Sequence, residues 1–281
     1  MNYLEPIDLS TDEFVELYDE LPLWSAPFGL MLLERVPMAS GLTILDVGAG
    51  TGFVTIELAE RCGPATTVIA VDPWQAGMDR LRRKLDQRRL ANVRILVQDA
   101  ATIDLPRGSV DVIVSNLGIN NFDDPAGVLN KCASVARPGA ALLVTTNLVG
   151  HMAEFYEVYR AVLTDLGHTA RLRALEAHVA HRGTVDSVSA LIGRAGFAIE
   201  SVATSSFATR FADGSSLLRH HFIRLGFVQR WKSIAAADAL EATFQSLENR
   251  LNEVANAHGE LRLTIPMACF VARAKAADGY R

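Results

Sequence analysis

Cysteine is scarce in this 281-residue chain, with three in all: Cys62, Cys132 and Cys269. An odd and scattered set excludes a disulfide framework or a zinc knuckle. It fits a reducing, cytoplasmic setting in which the thiols pack as small hydrophobes. Apolar runs of the roughly 18 residues needed to cross a bilayer are missing, so no membrane span is expected. The opening "MNYLEPIDLSTDEF" carries acids where a secretory leader would carry a basic segment, and no signal is expected there. A basic excess is missing as well. The net charge of −5 argues against a nucleic-acid partner. Histidine is absent from the first 150 residues. All seven follow: His151, His168, His178, His181, His220, His221 and His258. The chain is 49% hydrophobic and 21% charged, which excludes disorder and allows a large core.

What is present is an alternation. Short apolar, β-rich runs stand at "TILDVG" (43–48), "TVIAVD" (67–72), "VRILVQD" (93–99), "VDVIVSN" (110–116) and "ALLVTT" (141–146). Helical patterns fill 52–61, 75–90 and 125–136 between them. Continuously apolar strands are covered on both faces, so the reading is an α/β, doubly wound parallel sheet. After residue 147 the texture turns helical over 151–178, 184–195 and 215–258. Strand composition returns at 197–211 and 261–275. The expected organisation is one elaborated domain: a helical cap (1–40), a core (41–147), a lid and helix (148–195), and the last two strands with a helical insertion (196–281).

The turn out of the first run, "DVGAGTG" (46–52), sets glycine at every second position. Glycine permits positive φ and lets a ligand lie against bare backbone at a helix start. A tight strand–helix turn alone would need no more. The dinucleotide fingerprint G-x-G-x-x-G fails, because Phe53 stands where its third glycine belongs. No Gly-Lys-Ser/Thr follows, so this is not a P-loop.

D-V-G-A-G-T-G resembles the first motif of the class I S-adenosylmethionine-dependent methyltransferases, in the small-molecule branch of the ubiquinone, menaquinone and biotin-pathway enzymes. Further segments match in order: "VIAVDPW" (68–74), "VQDAATIDLP" (97–106), "VDVIVSNLGINNF" (110–122) and "VLNKCASVARPGAALLVTT" (128–146), whose Arg137-Pro138-Gly139 stands as a turn before the fifth strand. The resemblance implies a seven-stranded sheet of order 3-2-1-4-5-7-6 with the last strand antiparallel. It also implies S-adenosyl-L-methionine as cofactor. Gly48, Ala49, Gly50 and Gly52 would carry its carboxypropyl arm and Asp46 would receive its ammonium group. Asp72, followed by Pro73 and Trp74, would hold the ribose, with Trp74 able to stack on adenine. Asp99 and the Ala100 backbone would read the adenine, and Asn116 and Leu117 would close the site at the fourth strand's exit. Met78 reads as core.

The acceptor is less legible. The fourth-strand exit, Asn116-Leu117-Gly118-Ile119, lacks the N-P-P-Y of enzymes that methylate base or amide nitrogens. "TTNLVG" offers only Asn147 where metal-assisted relatives place an acid, so no metal is expected. His151, which follows the fifth strand, is the first candidate for a general base, and His220 and His221 come second; surface or capping roles compete for each. Tyr18, Asn120 and Asn121 are candidates for substrate contact beside structural roles. The basic stretch "DRLRRKLDQRRL" (79–90) reads as a solvated helix face. The expected function is methyl transfer to a small organic acceptor. RNA or protein methylation and a non-catalytic cofactor-binding module stay open, as does a homodimer.

Overall fold

A computed structural model describes residues 2–8, 11–20 and 22–275. Their contacts group into two units, a sheet unit (11–147, 184–205 and 267–275) and a helical unit (2–8, 148–183 and 206–266).

The sheet unit contains β1 (Thr43–Val47), β2 (Thr67–Val71), β3 (Val93–Leu96), β4 (Val110–Asn116) and β5 (Ala136–Asn147). β6 (Phe197–Phe211) and β7 (Leu261–Ala274) contribute residues to both units. The strand order is β3-β2-β1-β4-β5-β7-β6. β1 to β5 pair in parallel and β7 runs antiparallel to β5, which meets the topological expectation in full. Parallel strands need crossovers. These are α3 (Phe53–Cys62), α4 (Gln75–Arg88) and α5 (Pro125–Val135), with α1 (Asp12–Glu20) and α2 (Ala26–Leu33) preceding the sheet and α8 (Val185–Arg194) preceding β6. The helix α4 shows why these segments fold as they do. Met78, Leu81 and Leu85 recur at helical spacing and bury against Ile56 and Ala70.

Two features depart from expectation. Arg137, Pro138 and Gly139 lie within β5 rather than in a turn before it. The pairing with β4 jumps from Val110↔Ala136 to Val112↔Ala141, so the extra residues form a bulge around Gly139, whose φ is +78°. The basic stretch on α4 is not merely solvated. Asp19 of α1 accepts from Arg80 at 2.9 Å and from Lys84 at 2.5 Å, and Arg88 pairs with Glu60. Sequence periodicity cannot see a partner sixty residues away, and that partner turns half the basic face into a helix–helix contact.

The helical unit contains α6 (Ala153–Asp165), α7 (Leu172–Ala180), α9 (Gly214–Arg219), a helical run over 221–232 and the long helix Leu240–His258. Its centre is aromatic. Trp231 is fully buried and stacks on Phe155 at 3.9 Å between ring centroids. Its indole N–H donates to the Tyr156 hydroxyl at 3.2 Å, and its carbonyl accepts from the Tyr159 hydroxyl at 2.9 Å. Glu248 on the long helix accepts from Tyr3 at 2.8 Å and from Ser215 at 2.6 Å, which fastens the first turn of the chain to this unit. Trp231→Ala would empty the centre and strand the Tyr156 network. It is expected to cost about 3–5 kcal/mol, read as a lower urea midpoint by tryptophan-independent circular dichroism.

Candidate functional site

The site predicted from the glycine turn lies wholly in the sheet unit, where β1 to β4 end side by side. The parallel register Val47↔Val71 brings the exits of β1 and β2 level. The Val71 carbonyl accepts from both Gly48 N–H (2.9 Å) and Ala49 N–H (3.1 Å). Gly50 has a φ of +55°, and a side chain there would meet nothing within 4 Å. Its bare backbone therefore faces open space, which is the wall a ligand needs. Gly52 serves a different purpose. With φ at +87°, a β-carbon would come within 2.2 Å of Leu81, so this glycine lets the loop close on α4.

Asp72 follows β2 and locks that loop. One carboxylate oxygen accepts from Gly50 N–H and the other from Trp74 N–H, each at 2.9 Å. Burial nevertheless raises its pKa, and the two N–H donors oppose the rise. Asp46, inside β1, is 1% exposed and accepts from the Thr55 hydroxyl at 2.6 Å. Burial pushes it up to about 7, Thr55 pulls against that, and the Asp72 charge adds to it. Asp46 therefore lies behind the loop, with its carboxylate held by Thr55 rather than open to solvent. Asp99 lies beyond β3, is exposed, and accepts from Ala101 N–H at 2.8 Å, with Ala100 buried beside it. Three carboxylates at strand ends suit a cation and oppose a phosphate. An open Gly50 wall with Asp72 and Asp99 at the next two strand exits is the arrangement the sequence resemblance assigned to the arm, ribose and adenine of S-adenosylmethionine.

At the exit of β4, Leu117 adopts φ +65°, an uncommon conformation for a side-chain-bearing residue. Its N–H donates to the Thr145 carbonyl at 3.1 Å. Asn116 accepts from the Thr145 hydroxyl at 2.7 Å and donates to the Ser25 carbonyl at 3.2 Å. A β-carbon on Gly48 would stand 3.1 Å from the Gly118 backbone, so the first and fourth loops touch. Every cofactor residue expected from sequence, from Asp46 to Leu117, thus falls in one unit at the carboxyl ends of neighbouring strands.

Three further residues belong here. Against its burial, Lys84 and then Thr51 hold the Asp19 carboxyl below its ordinary pKa, which places α1 beside the glycine loop. Tyr18 on the same helix packs edge-on against Trp74, with centroids 5.3 Å apart, and the Asp72 charge contributes to its raised pKa. Trp74 lies against Gly77, where a β-carbon would come within 2.3 Å of the indole. Asn147 closes β5 at 2% exposure, and its Oδ1 meets no hydrogen-bond partner among the described residues. Tyr18 and Asp19 of α1 were visible in sequence, but nothing local marked their helix as a neighbour of the loop.

The candidate histidines fall in the helical unit instead. His151 is 3% exposed and stacks on Phe227 at 5.6 Å. Burial first, and the Arg182 charge second, lower its pKa to about 3. So weak a base is poorly matched to proton abstraction near neutrality. His220 and His221 are exposed where α9 gives way to the 221–232 run.

A family profile described as a methyltransferase domain matches residues 44–139. The demethylmenaquinone methyltransferase of Thermus thermophilus is 30% identical over 178 residues, covering 60% of this chain and 78% of that one. The nocamycin O-methyltransferase of Saccharothrix syringae is 30% identical over 135 residues, 48% of each chain. The chain spans about half the length of the first curated relatives it matches. A SAM-dependent methyltransferase structure from Aquifex aeolicus shares the fold, with a TM-score of 0.53 at 20% identity over 69% of this chain and 92% of that one.

The buried acids make the site sensitive to pH and to substitution. Asp46 sits near half-protonation at pH 7 in the free protein, and a bound cation favours its charged form. Cofactor binding is therefore expected to release a proton near pH 7 and to weaken as pH falls below it; calorimetry in buffers of different ionisation enthalpy reads this, and Asp46→Asn should remove it. Asp72→Ala loses charge-assisted hydrogen bonds worth roughly 1.5–3 kcal/mol each to a ribose. Water replaces part of that, so about 2–4 kcal/mol is expected, a rise on the order of 30- to 1000-fold in cofactor dissociation constant. Asp99→Ala should cost less, since the Ala100 backbone donor stays.

Proposed function

The chain belongs to the class I S-adenosylmethionine-dependent methyltransferases, and from that premise we propose that it transfers the cofactor's methyl group to a small organic acceptor. The observation that carries the reading is the Gly50 backbone, open to a ligand and fastened to the Asp72 carboxylate at 2.9 Å, with Asp46 buried behind it. When bound, S-adenosylmethionine supplies an electrophilic sulfonium methyl. The protein's part is placement. Asp72 holds the loop in shape before any ligand arrives, so little reorganisation is left for the moment of reaction. Leu117, held in its left-handed conformation by Thr145, fixes the wall at the exit of β4.

A small acceptor is favoured over RNA by the fate of the basic helix. Arg80 and Lys84 on α4 are partly buried against Asp19, and Arg82 and Arg88 pair with Asp79 and Glu60 at the surface, so these cations already have partners within the same unit. The two curated relatives described above are named for small-molecule substrates. The three buried free thiols support a reducing, cytoplasmic setting. The weak basicity of buried His151 supports catalysis by positioning rather than by a histidine base.

Transfer of a radiolabelled methyl group to panels of phenols, quinols, carboxylic acids, RNA and protein tests the proposal. Label appearing in small molecules supports it, and label confined to RNA or protein overturns it. His151→Gln is expected to change turnover by less than about tenfold, against the roughly 10²–10⁴-fold loss of a true base, while lowering thermal stability because the Phe227 contact is disturbed.

A further inference from the structure

Helix α1 is attached to the sheet unit along a narrow strip. Only Phe14 and Val15 of its nine residues are buried, and a helix so short is marginal in water on its own. Its ion pairs with α4 are unequal. Asp12 with Arg83 and Glu16 with Arg80 stand 3.3 and 3.9 Å apart, and both acids are more than half exposed, so these pairs contribute little. Asp19 differs. Its side chain is 9% exposed and answers Arg80 at 2.9 Å and Lys84 at 2.5 Å. Asp19 is therefore the main charged tie of α1. Beside it is an aromatic cluster, in which the rings of Phe14 and Tyr18 lie 6.0 and 5.3 Å from Trp74.

This weakly held helix stands next to the cofactor loop. Asp72 accepts from Trp74 N–H with one oxygen and from Gly50 N–H with the other, each at 2.9 Å. The aromatic cluster thus borders the open space before Gly50 on its β2 side. On the β4 side, Asn116 donates to the carbonyl of Ser25, the residue before α2, at 3.2 Å. β1 lies between β2 and β4, so its glycine loop is flanked by these two points of attachment. Tyr18 remains 41% exposed while its ring packs on Trp74, which leaves it a surface to offer a ligand.

We propose that α1 is a movable wall of the cofactor site on its ribose side, with Tyr18 in contact with the cofactor and Asp19 the positioning residue that keeps the wall closed through Arg80 and Lys84. Elements that open for a ligand are drawn from the weakly held parts of a fold. Asp72 holds the ribose beside the wall, and detachment of α1 from α4 lets the ligand go. The proposal rests on the family's cofactor and is independent of what the acceptor is.

The probe is S-adenosylhomocysteine, which lacks the sulfonium charge, and its dissociation from the immobilised full chain is timed by surface plasmon resonance. Asp19→Asn is expected to speed dissociation at least about tenfold, since it unties both cations. Tyr18→Ala should speed it as well, whereas Tyr18→Phe keeps the ring and should stay within about threefold of the parent. Salt separates positioning from a merely structural role. Between about 0.01 and about 1 M the screening length falls from about 30 to about 3 Å, so the parent's dissociation should quicken and Asp19→Asn should flatten that dependence. Hydrogen exchange over 12–20 should slow when the probe is bound. An Asp19→Asn variant with a lower urea midpoint but the parent's salt dependence would overturn the proposal. So would a Tyr18→Ala rate equal to the parent's, or exchange over 12–20 that ignores the probe. Asp72→Ala run alongside tells the two readings apart: binding lost there but unchanged in Asp19→Asn overturns the movable wall and leaves the cofactor site standing.

Discussion

The bond between the Asp72 carboxylate and the Gly50 N–H sets the terms for the rest of the sheet unit. It joins the exit of β2 to the exit of β1 at 2.9 Å, and the second oxygen of the same carboxylate holds the start of α4 through Trp74. Three consequences follow. Gly50 must be glycine, because its φ is positive and its missing side chain leaves the ligand wall open. Gly52 must be glycine, because the loop so held presses against Leu81. The strand register must place Val47 beside Val71, because a shift of one residue would carry both exits apart.

That arrangement holds electrostatic tension. Asp46 and Asp72 are two carboxylates near one loop, and burial disfavours the charged form of each. The backbone N–H groups of Gly50 and Trp74 keep Asp72 serviceable, and the Thr55 hydroxyl does the same for Asp46. A cation arriving at the loop relieves the tension, whereas an anion adds to it. The preference for a sulfonium over a phosphate therefore comes from the free protein's own charge distribution.

Much of this was legible in the sequence. The apolar runs marked β1, β2 and β4 to the residue or nearly so, since strands covered on both faces have no polar positions to blur their ends. The glycine spacing and Asp72 marked the site, because short-range backbone geometry is written in adjacent residues. The seven-strand order came from a family resemblance rather than from periodicity. What could not be read depends on distant partners. Asp19 meets Arg80 and Lys84 from a separate helix. The bulge in β5 exists because β4 has fewer residues opposite it. His151 follows β5 in sequence as expected, yet Phe227, far along the chain, buries it. Grouping 2–8 with 206–266 is likewise beyond any local pattern, since a single buried acid, Glu248, ties Tyr3 to the long helix.

Arginine shows how differently partly buried charge is held in this fold. Arg80 is partly buried, and its guanidinium meets Asp19, so its desolvation is compensated within the fold. Asp19 is shared with Lys84, so the acid of α1 answers two cations of α4 at once. Arg182 is also partly buried, but its Nη1 faces no acceptor among the described residues. The same contrast holds for Asn147, whose amide oxygen is buried at the end of β5 without a donor among the described residues, while neighbouring Thr145 and Thr146 are engaged with Asn116 and Asn120.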